Sequence, residues 1–589
     1  MSRKFGIILI LIALLPILLL VFYPDPVDDL DDGLLSETDK EKLVRYSYEI
    51  LDSYFSKNST NSTIQKPMIS TNPDYDVLFI TLLENGSVRG CQSGSHLPTE
   101  TNRLFQDIQE ATIEAIQDLR FNGPLMDHER DNTTVMFTFL SNASWVYNTS
   151  MIFLQNSIEL GVHSIGIIHN DTPTIFKESV PITNNYDLEF TLKRLCDKAN
   201  LIDMCYQDAD VNLFRYDTLT FFGTRQQEIT TLYRYNIPVI ADDISNNKIN
   251  QSIFSGYQWF LNQINNQTNL LNYWYFPSTH EYLSSNNHIR QLASLWAVTE
   301  AKHFFNSTEA NDLINNTLTY YLQFQNQTSN FSCLLIDGEA KLGSNAFLIL
   351  SLINSPDFPN QQQLLDEFAR GILHLQQDNG SFDTYFFSEK NTGIDYYPGE
   401  AMLSLMHLFK YSGNQSYVSA VEKAFPYYQS YWKEHKNTAF IPWHTQTYAM
   451  LYEYNENQEL LDFIFEMNDW MIDNYYISKS VYPDEIGGFP KYFPTFSTSV
   501  FLEGINDAYY LARLANDTYH IKKYHDVLIN GSRFILQTQF TKNNSFYIDH
   551  SELAIGGFKT SLTDNSLRID STQHALFALM KTYRNNIFQ

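Results

Sequence analysis

From about residue 250 onward, helical segments that are apolar all round alternate with amphipathic ones at intervals of about 45 to 60 residues, the mark of a stacked repeat. The clearest case is the stretch 391–411, N-T-G-I-D-Y-Y-P-G-E-A-M-L-S-L-M-H-L-F-K-Y, a polar loop running into a helix with almost no polar face. Such a helix is stable only when other helices cover every side of it. The pattern predicts outer helices near 251–264, 309–325, 361–377, 415–433, 458–476 and 520–538. Matching inner helices are predicted to begin near His288, Asn345, Gly399, His444, Ser499 and Ser571. Six such hairpins close a ring, and an echo supports the repeat. Outer helices end in Gln-bearing turns (Gln263, Gln323, Gln377, Gln539), each followed by an aromatic segment such as Tyr273-Trp274-Tyr275 or Phe546-Tyr547-Ile548.

This pattern over residues 246–589 resembles the (α/α)6 toroids shared by six-hairpin glycosidases and terpenoid cyclases. In such a ring the inner-helix N-termini and the loops before them face one mouth, so polar residues there are the site candidates. They are His288, Arg290, Asp337, Glu339, Asp383, Asp395, Tyr396, Tyr397, Glu400, Trp443, His444, Asp484, Glu485, Glu503, Asp507, Arg568, Asp570 and His574. Glycosidic chemistry needs an acid paired with a base or nucleophile, and aromatic faces to stack on pyranose rings. We therefore expect Glu400, Asp395, His444 and Asp570 to be catalytic. Tyr396, Tyr397, Trp443, Asp383, Glu503 and Arg568 are expected to bind substrate. Plainer roles compete with these. Glu400 opens a helix, where the dipole favours a carboxylate. His444 and His574 lie on apolar helices as core histidines do, and Asp484-Glu485 beside Gly487-Gly488 reads as a solvated turn.

The chain before the repeat has a different texture. A helix is expected over Ser36–Phe55, a strand over Val77–Leu83 turning at Glu84-Asn85-Gly86-Ser87 into Val88–Cys91, a helix over Thr99–Asp118, and strands over Val135–Leu140 and Ser164–His169. Mixed strands and helices indicate an α+β domain over 41–245. Four segments in order resemble the AMMECR domain family over residues 42–240: V-R-G-C at 88–91, A-I-Q-D-L-R-F at 115–121, E-L-G-V-H-S-I-G-I at 159–167 and L-C-D-K-A-N-L at 195–201. The family signature is L-R-G-C-I-G; this chain keeps Arg89, Gly90 and Cys91 but carries Val88 before them and Gln92-Ser93-Gly94 after. The resemblance implies an α+β fold and no settled activity. A thiol beside a cation can act as a nucleophile, with His96 or His163 as base. The competing reading of Cys91 is a small buried apolar residue, and of Gly90 a tight backbone turn.

The N-terminus sets location. Ser2-Arg3-Lys4 precedes an uncharged apolar run from Phe5 to Phe22, long enough to span a bilayer, and no small-residue cleavage site follows. We read residues 1–23 as an uncleaved signal anchor and 24–40 as an acidic linker, which puts the rest of the chain outside the cytoplasm. N-x-S/T triplets recurring from Asn58 to Asn543 fit a glycosylated ectodomain. Cys196 and Cys205 are close enough to pair, whereas Cys91 and Cys333 have no evident partner; with no C-x-x-C pair, no metal is expected. No cofactor is expected either. The net charge of −28 argues against a nucleic-acid partner, and the sequence names no protein partner. Membrane contact is expected through the N-terminal helix alone. The leading reading is a membrane-anchored extracytoplasmic protein whose toroid binds or processes a glycan, by hydrolysis, elimination or epimerisation. The rival is a non-catalytic surface scaffold. Terpenoid chemistry ranks last, because the toroid carries no D-D-x-x-D or D-x-D-D motif.

Overall fold

A computed structural model describes residues 34–56, 64–94, 103–121, 123–226 and 228–589. The apolar run 5–22 and His96 lie outside these residues. Among the described residues, no helix is long and apolar enough to cross a membrane. The acidic linker ends earlier than expected. Helix α1 (Glu37–Phe55) already begins at Glu37, where the Ser36 hydroxyl accepts a hydrogen bond from the Asp39 amide.

The first domain is a seven-stranded antiparallel sheet. Strands β1 (Val77–Glu84), β2 (Ser87–Ser93), β3 (Thr133–Trp145), β4 (His163–His169), β5 (Thr172–Phe176) and β6 (Val211–Gly223) run in the order β2-β1-β3-β6-β4-β5, and β7 (Ile229–Leu232) pairs with β6. Helix α2 (Arg103–Ile116) joins α1 on one face, over Leu78, Ile80, Leu82, Val135, Phe137, Phe139 and Phe221. The alternate residues of β1, Thr81 and Leu83 among them, are also buried, which is why this strand reads as a continuous apolar run. The sequence reading did not find β6. Its middle, Arg215 to Thr218, is polar and partly exposed where the β3 register shifts between Ser141 and Ser144, and this breaks the apolar pattern. Helices α3 (Met151–Ser157), α4 (Ser179–Asn184) and α5 (Leu188–Lys198) complete the domain, and a Cys196–Cys205 disulfide closes the end of α5.

The remainder is a closed ring of six helical hairpins. Each outer helix precedes its inner partner: α6 (Asn246–Asn262) and α7 (His288–Phe305); α8 (Asn311–Leu322) and α9 (Leu342–Ile353); α10 (Gln361–His374) and α11 (Tyr397–Ser412); α12 (Gln415–Glu434) and α13 (Ile441–Asn455); α14 (Gln458–Tyr475) and α15 (Ser497–Leu514). In the sixth, α16 (Thr518–Thr538) leads through the short α17 (Ser551–Ala554) to α18 (Ile569–Arg584). Inner helices touch in the cyclic order α7, α9, α11, α13, α15, α18 and back to α7. Their burial explains their composition. In α9 every residue from Leu342 to Leu352 is buried, and in α18 every residue from Ile569 to Met580. Because inner helices run parallel, the connections into them share one end of the ring. Most are long, such as 263–287 and 539–568, whereas those at the other end are as short as 413–414 and 456–457.

The two domains are docked. Arg234, almost fully buried, donates to Glu159 in its own domain and to Asp484 (2.7 Å) and Glu485 (3.2 Å) of the toroid. Asp484 and Glu485 therefore do not form a solvated turn, nor do they face the mouth. Tyr235 packs its ring on Phe546 and Tyr547, and the Gly86 turn sits so close to the Phe546 carbonyl that a Cβ there would lie 2.2 Å from it. Asn236 donates to the Gln537 carbonyl, and the Asn565 amide donates to Asn185. Removing one partner of a buried ion cluster leaves charge uncompensated, at a cost of about 3–5 kcal/mol. Arg234→Met is thus expected to lower the midpoint of chemical denaturation and to separate a transition of the first domain from that of the toroid; an unchanged single transition would show that the cluster does not hold the domains together.

Candidate functional site

Three layers of charged side chains lie along the ring axis, because helices covered on every side leave unpaired charge only the axis and the two ends. At the mouth, Asp570 in the first turn of α18 accepts from Arg568 (2.8 Å) and pairs with Arg290 (2.9 Å). The Arg568 guanidinium lies between the rings of Trp274 (5.2 Å) and Phe496 (5.1 Å), and Arg290 donates to the Tyr273 hydroxyl. This set joins the first and last hairpins. Around it the mouth loops expose Tyr282, Phe387, Tyr396, Tyr492 and Phe493.

Deeper in the mouth, Glu400 stands in the first turn of α11 with its carboxyl 4% exposed. Its Oε2 has no hydrogen-bond partner among the described residues and fills the space left by Gly343, where a Cβ would lie 2.4 Å away. Burial pushes its pKa up to about 8, so the group holds its proton at neutral pH. Trp443 packs on Gly399, the residue before Glu400, and lies 6.0 Å, ring to ring, from His574. His574 Nδ1 is 2.6 Å from Oε1 of Glu503, itself 1% exposed. A carboxylate on Nδ1 fixes the tautomer and leaves Nε2 free to accept a proton. Phe347, Trp296 and Phe577 fill the axis next to this layer, with Trp296 and Phe577 4.2 Å apart.

Other candidates stand elsewhere. His444 is fully buried with its ring stacked on Phe440; Nδ1 bonds the Phe440 carbonyl at 2.9 Å, and burial lowers its pKa to about 3. It is a neutral core histidine between Tyr428 and Tyr448 rather than a group at the mouth. Asp395 accepts from Tyr431 (3.0 Å) and Asn437 (3.0 Å), and so ties the mouth loop back to the end of α12. Asp383 faces solvent and accepts from Gln377, Glu339 lies between Lys341 and Lys390, and Asp337 is exposed beside His288. Asp507 pairs with Lys581 (2.7 Å) at the opposite end of the ring. The structure thus brings together Glu400, Trp443, Glu503, His574, Asp570, Arg568 and Arg290, and holds Asp395 and Asp383 apart from them, while His444 packs against Gly399 behind Glu400 with its Nδ1 taken by the Phe440 carbonyl.

A match to the AMMECR1 family model spans residues 44–221. A relative from Halobacterium salinarum is 30% identical over 148 residues, 24% of this chain and 68% of the relative. The chain belongs to the AMMECR1 family. Among solved structures, an uncharacterized Pyrococcus horikoshii protein is 22% identical, covers 33% of this chain and 96% of its own, and has a TM-score of 0.28. A D-mannose isomerase is 13% identical over 58% of this chain and 98% of that one, TM-score 0.44. A GH76 α-mannanase from Bacteroides thetaiotaomicron is 11% identical over 57% and 96%, TM-score 0.41.

In the AMMECR1 domain the motif residues have distinct tasks. Gly90 passes beneath α2, where a Cβ would lie 1.8 Å from the Ala115 carbonyl, so close approach rather than a turn requires glycine. Arg89 binds Glu129 at 2.7 Å and the Phe121 carbonyl, bracing the loop after α2. The half-buried Cys91 thiol accepts from Thr81 Oγ1 (3.2 Å), which in turn accepts from Lys177 (3.0 Å), and the Cys91 amide donates to Asp118. His163 is not beside this thiol. It lies on β4, beyond β1, β3 and β6, and burial with Arg215 and Arg234 nearby lowers its pKa to about 3.

Glu400 gives this site a pH signature. Its folded pKa of about 8 exceeds the ordinary 4.5, so its contribution to stability is full below pH 4.5 and is lost as pH rises through 8. The slope is at most about 1.4 kcal/mol per pH unit. Glu400→Gln is expected to flatten the fall in melting temperature between pH 5 and pH 8. A variant that loses stability over that range as steeply as the wild type would show the carboxyl to be ionised and solvated.

Proposed function

We propose that the mouth of the toroid binds and processes a glycan by general acid–base catalysis, on the outer side of a membrane to which residues 5–22 anchor the chain. The observation that carries the reading is the buried, unpartnered Glu400 carboxyl, protonated at neutral pH, on a helix turn that Trp443 links to a His574–Glu503 pair. Glu400 is the acid that gives its proton to a sugar oxygen. His574, oriented by Glu503, is the base that takes one from water or from a ring carbon. Arg290 and Arg568, held by Asp570, give donors to sugar hydroxyls, and Trp443, Trp274 and Tyr396 give faces on which rings stack. Hydrolysis, elimination and epimerisation all use such an acid and base. The outer location is supported by the N-x-S/T triplets, whose asparagines are nowhere buried among the described residues.

The scaffold reading has its own support. Asp570 is engaged at both oxygens by two arginines, so it is not free to act as the second acid of a hydrolase, and Asp395 is tied through its Oδ1 to Tyr431 and Asn437. The full chain incubated with envelope and plant-type polysaccharides separates the two, with binding and new reducing, unsaturated or epimerised sugar followed together. Turnover is expected to fall by roughly 10²–10⁴ in Glu400→Gln, with smaller changes in binding, and in the wild type to decline above about pH 8 as Glu400 ionises. Glycan binding without turnover, unchanged in Glu400→Gln, would establish the scaffold instead.

A further inference from the structure

The far end of the ring holds a cavity of about 320 Å³ between the C-terminal halves of α11, α13, α15 and α18. That volume is at the lower end of the range for small-molecule pockets, about 300–1,000 Å³. It is separate from the mouth: Trp296 and Phe577, each eight residues into its helix and in ring contact, fill the axis between.

Its walls mix both charges. Asp507 holds Lys581, whose ammonium also donates to Gln446 Oε1 (2.8 Å) and the Glu503 carbonyl, so this lysine is saturated and forms a fixed wall. Among the described residues Lys410 has no ion-pair partner, and Arg584 reaches Glu300 only at 3.7 Å. Glu453 is exposed beside Tyr510. Four helix C-termini converge here, and their carbonyl ends carry partial negative charge that offsets the cations. Charges of both signs line the cavity, Lys410 and Arg584 against Glu453 and the helix carbonyl ends. What it offers is a carboxylate acceptor in Glu453, donors in Lys410 and Arg584, an apolar base in Met450 and Ala449, and the half-exposed ring of Tyr510. Alternating donors and acceptors with an aromatic face match a ligand that carries hydroxyls round a ring with apolar C–H faces.

We propose that this cavity is a distal binding site for a neutral sugar of one or two rings. It does not depend on what the mouth does, yet it is wired to it. Gln446 accepts from Lys581 in the cavity wall and reaches Glu503, the residue that orients His574.

Saturation-transfer NMR on the full chain tests this with D-glucose, D-galactose and D-mannose as probes and D-glucuronate and inorganic phosphate as charged comparators. At least one neutral hexose is expected to receive saturation, and to keep doing so in the mouth variant Glu400→Gln/His574→Asn. Its Kd is expected to rise at least tenfold in Tyr510→Ala/Glu453→Gln, whose side chains are exposed and whose melting temperature serves as the folding control. Met450→Trp, which fills the cavity, is expected to abolish the signal that remains in the mouth variant. The proposal is overturned if no hexose binds the wild type, if binding is lost in the mouth variant and kept in the distal ones, or if only glucuronate or phosphate binds.

Discussion

Complete burial of the inner helices governs this molecule. Six parallel helices, each covered by two inner neighbours and an outer partner, have no lateral surface on which a charged group can sit cheaply without an arranged partner. Charged side chains of the inner helices therefore collect at the axis and the two ends. This is why the Glu503–His574 pair, the Lys581 cage and the Asp570–Arg290–Arg568 set follow one another along a single line, and why Glu400, lacking a partner, is forced towards its neutral form.

What could be read from the sequence was whatever one segment encodes by itself. The inner helices begin within a few residues of the predicted positions because all-round apolarity is a local property, and the outer ones show their buried stripe for the same reason. The V-R-G-C segment likewise announced the first domain, although the reason for Gly90 is a helix backbone that only the fold brings near. Long-range partnership was invisible. His444 and His574 sit on equally apolar helices, and what separates a core imidazole from one held by a carboxylate is Glu503, 71 positions from His574. Asp395 looked functional in its aromatic loop until Tyr431 and Asn437, 36 and 42 positions on, were seen to hold it. Asp484 and Glu485 passed for a turn because Arg234 lies 250 positions away in the other domain.

The first domain is more than an appendage on a flexible tether. Its β1–β2 turn, Tyr235 and Asn185 all bear on the last mouth-side loop of the toroid, and Arg234 ties three carboxylates from both domains, two of them in the loop before it. The same loop that carries Phe546 and Tyr547 leads into α18, which supplies Asp570 and His574. The docked domain thereby restrains one side of the mouth without contributing a side chain to the Glu400, Glu503 and His574 set.

The unequal lengths of the connections at the two ends of the ring bear on how such a chain can change over generations. Each mouth loop is anchored at both ends by its own hairpin, so residues can be gained, lost or exchanged in one of them while the other five and the helical wall stay as they are. Two-residue links such as 413–414 and 456–457 allow no comparable drift. One end of the ring is free to be rewritten for new ligands, and the other is held to its present form.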